Sequence, residues 1–280
     1  MLTTLHKISL LKLYCIVILL IIHPQKSKCT DTCKGGARAS ALSNAVVSLS
    51  DTWSSFHNQA GLASIDCFSA GFFYDSKFNI DKLSTIACSI VLPVRRGVFG
   101  ISVQQFGKGP YHENKYGIAF SRSISEKWNA GIQIDYLSVL FPENPDHKGL
   151  ATFEGGILFA PNGTLAIGAH IFNPVAEGFT MPEGKQAMPV IIRTGCHYIF
   201  GKNLLISLEG EKEGRFPLVI KSALEFYPAE RVAFRFGTSG KPLRYSSGIG
   251  YVLDKYSADI SFGYHENLGI TPSLSIQLTL

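Results

Sequence analysis

The chain contains no apolar run long enough to cross a bilayer as a helix. Its longest, Leu13 to Ile22 (LYCIVILLII), is about ten residues, where a spanning helix needs about 20. Charge is sparse, at 17% of residues, and the Lys and Arg behind the formal +5 are scattered. No basic stripe offers a nucleic-acid surface. The six cysteines show neither paired spacing nor a metal-ligand motif, so no disulfide framework, metal or cofactor is expected. His112, His147, His170 and His265 are dispersed, and no nucleophile, base and orienter converge as catalysis requires. Low-complexity tracts are also missing, and the length suits one large domain.

Three segments follow from what is present. Lys7 and Lys12 ahead of the short apolar run form an export signal over residues 1–29, with cleavage expected after Cys29. Residues 30–63 are a Gly/Ala-rich lead-in, and residues 64–280 read as a barrel. There the chain divides into about fourteen segments of roughly ten residues, the length of a tilted membrane strand. The expected strands are 64–74, 84–93, 97–107, 115–124, 128–140, 149–160, 163–173, 189–200, 203–213, 217–227, 231–239, 243–253, 256–265 and 269–280.

Connections alternate in size. Tight turns such as Pro161 to Gly163, Gly201 to Asn203, Pro228 to Glu230 and Asp254-Lys255 take every second junction. Longer loops, at Asp75 to Leu83, Pro142 to Lys148 and Pro174 to Met188, take the others. The faces alternate as well. Leu274, Ile276, Leu278 and Leu280 interleave with Ser273, Ser275, Gln277 and Thr279, and Ala258, Ile260, Phe262 and Tyr264 with Ser257, Asp259, Ser261 and Gly263. A soluble sandwich also alternates, but regular strand length, rim asymmetry and an export signal together favour an all-β, transmembrane, antiparallel up-and-down barrel. By the same parity Cys88 faces outward with its apolar neighbours, and Cys67 the other way.

The inward face carries charge of both signs. Arg193, His197, Glu209, Glu211, Lys221, Glu225, Arg231, Arg235 and Asp259 fall on neighbouring strands. Buried charges need partners, so a shape-holding ion-pair network is expected rather than an ion-selective or catalytic cluster. The loop Asn173 to Pro189, with Phe179, Met181 and Met188, is the candidate entrance lip or partner surface. The Asn162-Gly163-Thr164 triplet matches a glycosylation acceptor but reads as a hairpin turn.

The lead-in GGARASALSNAVVSLSDTWSSFHNQAGLA resembles the "GARAAALGNAxVA…NPAGLA" opening of bacterial outer-membrane proteins related to FadL-type transporters and to Bacteroidetes PorV/PorQ-type barrels of type IX secretion. Gly36, Ala37, Arg38, Asn44, Asn58, Ala60, Gly61 and Leu62 carry the match, and Gln59 stands where that family has Pro. The closing stretch YSADISFGYHENLGITPSLSIQLTL resembles the same barrels. The resemblance implies a fourteen-stranded barrel in the outer membrane of a Gram-negative cell, in contact with its lipid. It also implies a PorV/PorQ-like role with secretion-system proteins or exported cargo as partners. The alternative is FadL-like transport of a hydrophobic small molecule. The small residues of the lead-in suit close packing in a barrel mouth, as a plug, or equally a short periplasmic helix leading into the first strand.

Overall fold

The computed structural model describes residues 35–109, 111–141, 144–181, 184–240 and 242–280. The expected signal segment, its cleavage site and Cys33 lie outside the described residues. The strands are β1 (Ser69–Ser76), β2 (Ser84–Val94), β3 (Gly97–Phe106), β4 (His112–Ser125), β5 (Trp128–Phe141), β6 (Asn144–Phe159), β7 (Leu165–Phe172), β8 (Gly178–Met181), β9 (Gly184–Ala187), β10 (Ile191–Phe200), β11 (Leu204–Glu213), β12 (Val219–Ala229), β13 (Val232–Ser239), β14 (Arg244–Leu253), β15 (Tyr256–His265) and β16 (Gly269–Thr279). Fourteen of them close into one antiparallel barrel, with β16 against β1 and β7 against β10. β8 and β9 form a separate hairpin in the β7–β10 loop.

Alternation sets the wall, because successive side chains of a strand point to opposite faces. The outward positions are apolar and bare: Ile118 is 65% exposed and Ile134 68%, and Ile260, Phe262, Leu274 and Ile276 share the face. So continuous an apolar exterior is compatible with lipid, not water. Aromatics ring both ends of it. Phe99, Trp128, Phe200 and Tyr256 stand near the short turns, and Tyr116, Tyr136, Tyr245 and Tyr264 near the longer loops. No described helix is long and apolar enough to cross a membrane.

The alternation in turn length holds except between β5 and β6: β6 begins at Asn144, so most of the loop expected over Pro142 to Lys148 is strand paired with β5, and that connection is shorter than the β6–β7 turn. The β6–β7 turn is stitched by Asn162, whose Oδ1 accepts from the Thr164 amide at 3.1 Å, the Thr164 hydroxyl at 2.9 Å and the Leu165 amide at 2.9 Å. Cys88 is exposed on the outer face as expected, whereas Cys67 precedes β1 and belongs to no strand.

Inside the barrel lies the chain's own N-terminal segment. Helix α1 (Ala37–Ala41), helix α2 (Ser54–His57) and a 3-10 turn over Gln59–Ser64 are packed against the inner wall. This inward-packed lead-in is termed the plug. Leu42 and Val46 pack on Leu205 and Ala223, Trp53 and Phe56 on Phe73 and Ala87, Leu62 on Val91, Val98 and Ala119, and Ala60 on Leu158 and Ala166. The first strand accordingly begins at Ser69 rather than 64. Asn58 caps the 3-10 turn through its own Oδ1 and the Ala60 amide, at 3.1 Å, and Ile65 packs beside Leu62, keeping this stretch in the plug.

Candidate functional site

Wall and plug fit because the wall supplies two things that a short, irregular segment lacks. One is room. A Cβ on Gly131 would sit 2.5 Å from the Gln59 carbonyl carbon, and one on Gly168 would overlap the Val47 carbonyl oxygen. The other is hydrogen-bond partners for backbone without its own ladder. The Ser207 hydroxyl donates to the Ala45 carbonyl at 2.9 Å, Ser246 to the Ala41 carbonyl at 2.7 Å, and Ser89 to the Thr52 carbonyl at 2.6 Å. The Val46 and Val47 amides both donate to Glu209 Oε2, at 2.9 and 2.8 Å. Asn58 Nδ2 bridges the Val47 carbonyl at 2.7 Å and the Ile157 carbonyl at 3.2 Å, tying the plug to itself and to β6.

Eight of the nine charged or titratable residues picked out on the inner face of β10 to β15 do come together there. Glu209 faces Lys221 across β11 and β12, Arg193 faces Glu211 across β10 and β11, and Glu225 faces Arg235 across β12 and β13. Lys221 Nζ lies 2.9 Å from both Glu209 and Glu211, and Arg193 Nε 2.8 Å from Glu211. Arg235 reaches Glu225 and Asp259 at 2.6 Å each. From the plug, Arg38 joins this lattice through Glu225 and through Asp51. His197 Nδ1 lies 3.1 Å from the Ser48 hydroxyl. Arg231 does not join. An irregularity between Phe226 and Ala229 shifts the register, and Arg231 falls in the β12–β13 turn, exposed, 3.7 Å from Asp254 of the neighbouring turn.

The adjoining arc of the wall, β4 to β7, holds a second polar cluster that the sequence reading did not single out, meeting the first where His170 lies across from Arg193. Lys115 of β4, Gln133 and Asp135 of β5, Glu154 of β6 and His170 of β7 are all buried. Lys115 Nζ lies 2.8 Å from Glu154 Oε1 and 3.5 Å from Asp135 Oδ1, and Gln133 Nε2 donates to the same two oxygens at 2.6 and 2.8 Å. His170 Nε2 is 3.2 Å from Glu154 Oε2, near enough for an ion pair but without hydrogen-bond geometry.

This cluster differs from the first in being unsatisfied. Ser102 Oγ, Gln104 Oε1, Gln133 Oε1, Asp135 Oδ2 and His170 Nδ1 are buried with no hydrogen-bond partner among the described residues. Each such atom costs about 1–3 kcal/mol, so a fold keeps several together only for a reason. The buried side chains are also acidic in sum. Asp75, Asp135, Glu154, Glu209, Glu211, Glu213, Glu225 and Asp259 stand against Lys115, Arg193, Lys221 and Arg235, in a chain whose total charge is +5.

On the loop side of the second cluster the lumen turns apolar. Leu137 and Val139 of β5, Leu150 of β6, Phe172 of β7 and Ile191 of β10 face inward, and Phe179 of the β8–β9 hairpin closes over them, with Tyr111 and Met188 alongside. Lys115 Nζ lies 5.1 Å from the Phe172 ring centre, at the junction of the polar and apolar layers. Phe179 is therefore no exposed lip but a buried lid residue. Met188 is half-buried against the same cluster, and the Met181 side chain lies outside the described residues. A separate cavity of ≈ 150 Å³ opens between the plug and the loops, with Asn44, Arg193, Glu209 and Lys221 towards the plug and Phe78, Arg244 and His265 towards the loops.

A fourteen-stranded membrane barrel filled by its own N-terminal segment, with an apolar cluster packed under Phe179 on one side of the lumen, defines the class. No protein-family model and no curated protein matches the chain. Solved structures do, and they share its fold. The Ralstonia pickettii toluene transporter TbuX superposes with a TM-score of 0.68 at 11% identity, covering 89% of this chain and 99% of that one. The CymD monoaromatic hydrocarbon channel gives 0.67 at 12%, covering 88% and 97%. A Pseudomonas aeruginosa FadL homologue gives 0.62 at 10%, covering 86% and 97%. These similar structures are FadL-type outer-membrane barrels.

Proposed function

We propose that the chain is an outer-membrane channel that admits a hydrophobic small molecule. The observation that carries this reading is the apolar cluster of Leu137, Val139, Leu150, Phe172 and Ile191 on the inner wall, which Phe179 covers and no described plug residue joins, whereas the other apolar inner-wall clusters are packed by the plug. Wall-facing positions inside a membrane barrel are ordinarily polar. A contiguous apolar patch there is a place where a hydrophobic ligand displaces Phe179 and buries its own surface. The resemblance of the fold to hydrocarbon and toluene channels points the same way. Export by residues 1–29 as a cleaved signal and residence in a Gram-negative outer membrane belong to the same proposal. Association with secretion-system proteins or exported cargo has less support, because Phe179 of the loop that would present a partner surface folds inward instead.

Equilibrium binding of toluene to the purified full-length protein in lipid nanodiscs tests the reading. Saturable binding, lost when Leu150→Trp fills the cluster, is expected. Binding indifferent to that substitution, or none, would overturn it.

A further inference from the structure

The two polar walls of the lumen are not equivalent. On β10 to β15 nearly every charge has its partner, and several of those partners are plug backbone atoms, so that wall is spent on holding the plug. On β3 to β7 the polar atoms are buried but left over, and they adjoin the apolar cluster. Gln104 lies across from Lys115, Gly117 across from both Ser102 and Asp135, and Gln133 across from Glu154, so the leftover atoms form one continuous patch. Lys115 is flanked on its own wall by Leu137, and Glu154 by Phe172. A molecule whose apolar body sat among Leu137, Phe172 and Ile191 would set its other end on this patch.

The chemistry of that end follows from what is left over. Gln104 Oε1, Gln133 Oε1, the Asp135 carboxylate Oδ2 and Glu154 Oε2 accept hydrogen bonds and cannot donate, and the one glutamine amino group on Asp135 and Glu154 is already engaged. Only the Ser102 hydroxyl and one ring N–H of His170 can donate, so acceptors outnumber donors in the patch. Two carboxylates, Asp135 and Glu154, share the single ammonium of Lys115. A carboxylate ligand would add a further anion and further acceptors, whereas an ammonium supplies three N–H groups and a positive charge.

We propose that this patch is a headgroup site and that the preferred ligand is an apolar amine: a hydrocarbon body ending in a protonated amino group. The proposal rests on reading the apolar cluster as a ligand site and adds the selectivity of that site. A pocket built to hydrogen-bond a ligand group discriminates strongly against an analogue that lacks it, because the pocket's polar atoms then stay unpaired.

Four probes of one ring size separate the possibilities: toluene, benzyl alcohol, benzylamine (an ammonium at neutral pH) and benzoate. Each is titrated into the unaltered full-length protein in nanodiscs. Benzylamine binding about tenfold or more tighter than toluene, with benzoate weakest, is expected. In Asp135→Asn and Gln133→Leu, each checked for heat-modifiable migration, the preference for benzylamine over toluene should collapse while toluene binding persists. Equal binding of all four, or benzoate binding best, overturns the headgroup site and leaves the hydrophobic channel standing. Benzylamine bound without toluene supports the headgroup site and removes the hydrocarbon reading. No binding of any probe overturns both.

Discussion

Arg38, on the plug, donates to both carboxylate oxygens of Glu225 on the wall, through Nε at 3.0 Å and through a terminal nitrogen at 2.6 Å. This paired, charge-assisted contact spans 187 residues of sequence and ties the plug to the barrel. Its position explains the lattice around it. Glu225 also receives Arg235, which holds Asp259, so one carboxylate links the plug to β12, β13 and β15.

The first prediction is that Arg38→Ala loosens the plug without unfolding the wall. Breaking a buried pair leaves an uncompensated carboxylate and costs about 3–5 kcal/mol. Because Arg235 stays on Glu225, the lower end of that range is expected. In planar bilayers the intact protein should pass little steady current, and Arg38→Ala clearly more, with heat-modifiable migration unchanged. Equal conductance of the two proteins would mean that the plug is held elsewhere.

Steric fit gives the second. Gly168→Ala pushes a methyl into the Val47 carbonyl, and Gly131→Ala one into the Gln59 backbone. Neither neighbour is a flexible side-chain end. Both substitutions should raise protease access to the segment 35–63, whereas Gly163→Ala, in an open turn with nothing nearby, should not. Identical digestion patterns for all three would refute the close packing.

The third concerns the two faces of β15. Ile260→Arg sets a charge against lipid, at about 2–4 kcal/mol near the bilayer midplane, and should block insertion. Ser261→Arg faces inward, but Ser261 is fully buried, 2.5 Å from the Ser273 hydroxyl and beside Gly248, where α1 also packs. The arginine has no room while the plug is in place. It should yield an inserted barrel with the plug displaced, seen as heat-modifiable protein with high conductance. Failure of both variants at insertion would contradict the assigned faces.

Acidity supplies the fourth. Burial pushes His57, on the plug helix rather than on a spanning strand, from an ordinary value of 6.5 down to about 4, with Asp51, Glu209 and the Gly35 carbonyl opposing that shift and Arg193 adding to it. The Nε2–H of the neutral ring donates to the Gly35 carbonyl at 2.8 Å. Because the docked plug resists the proton, the contribution of His57 is fully present above pH 6.5 and is lost as pH falls towards 4. Conductance should therefore rise on acidification through that window, and the rise should shrink in His57→Gln. A flat profile in the unaltered protein would contradict it.

Much of this is legible in the sequence. Strand spans and facing follow from period-two alternation, and Ile260 and Ser261 stand on the faces assigned to them. The interior lattice was legible on β10 to β15 because opposite charges recur there at matching parity, as in Arg193 and Glu211. Arg231 differs because it lies in the turn before β13 begins at Val232, where strand parity no longer fixes which way a side chain faces. The cluster on β4 to β7 was missed for a different reason. Each of its strands contributes only one or two residues to it, such as Asp135 in IQIDYL or His170 in GAHIF, and apart from Gln133 and Asp135 its partners are far apart in sequence. Parity alone would have turned all of them inward. That Phe179 folds back as a lid depends on the β8–β9 hairpin, whose short strands the loop's composition did not signal.

The central claim is that hydrophobic molecules pass through this barrel by way of the cluster under Phe179. The rate of radiolabelled toluene uptake by cells producing the protein, compared with cells producing the Leu150→Trp form at equal outer-membrane abundance, tests it most directly. Faster, saturable uptake with the unaltered protein, falling to the background of cells without it in Leu150→Trp, is the predicted result. Uptake equal in all three, or undiminished by the substitution, would contradict the account.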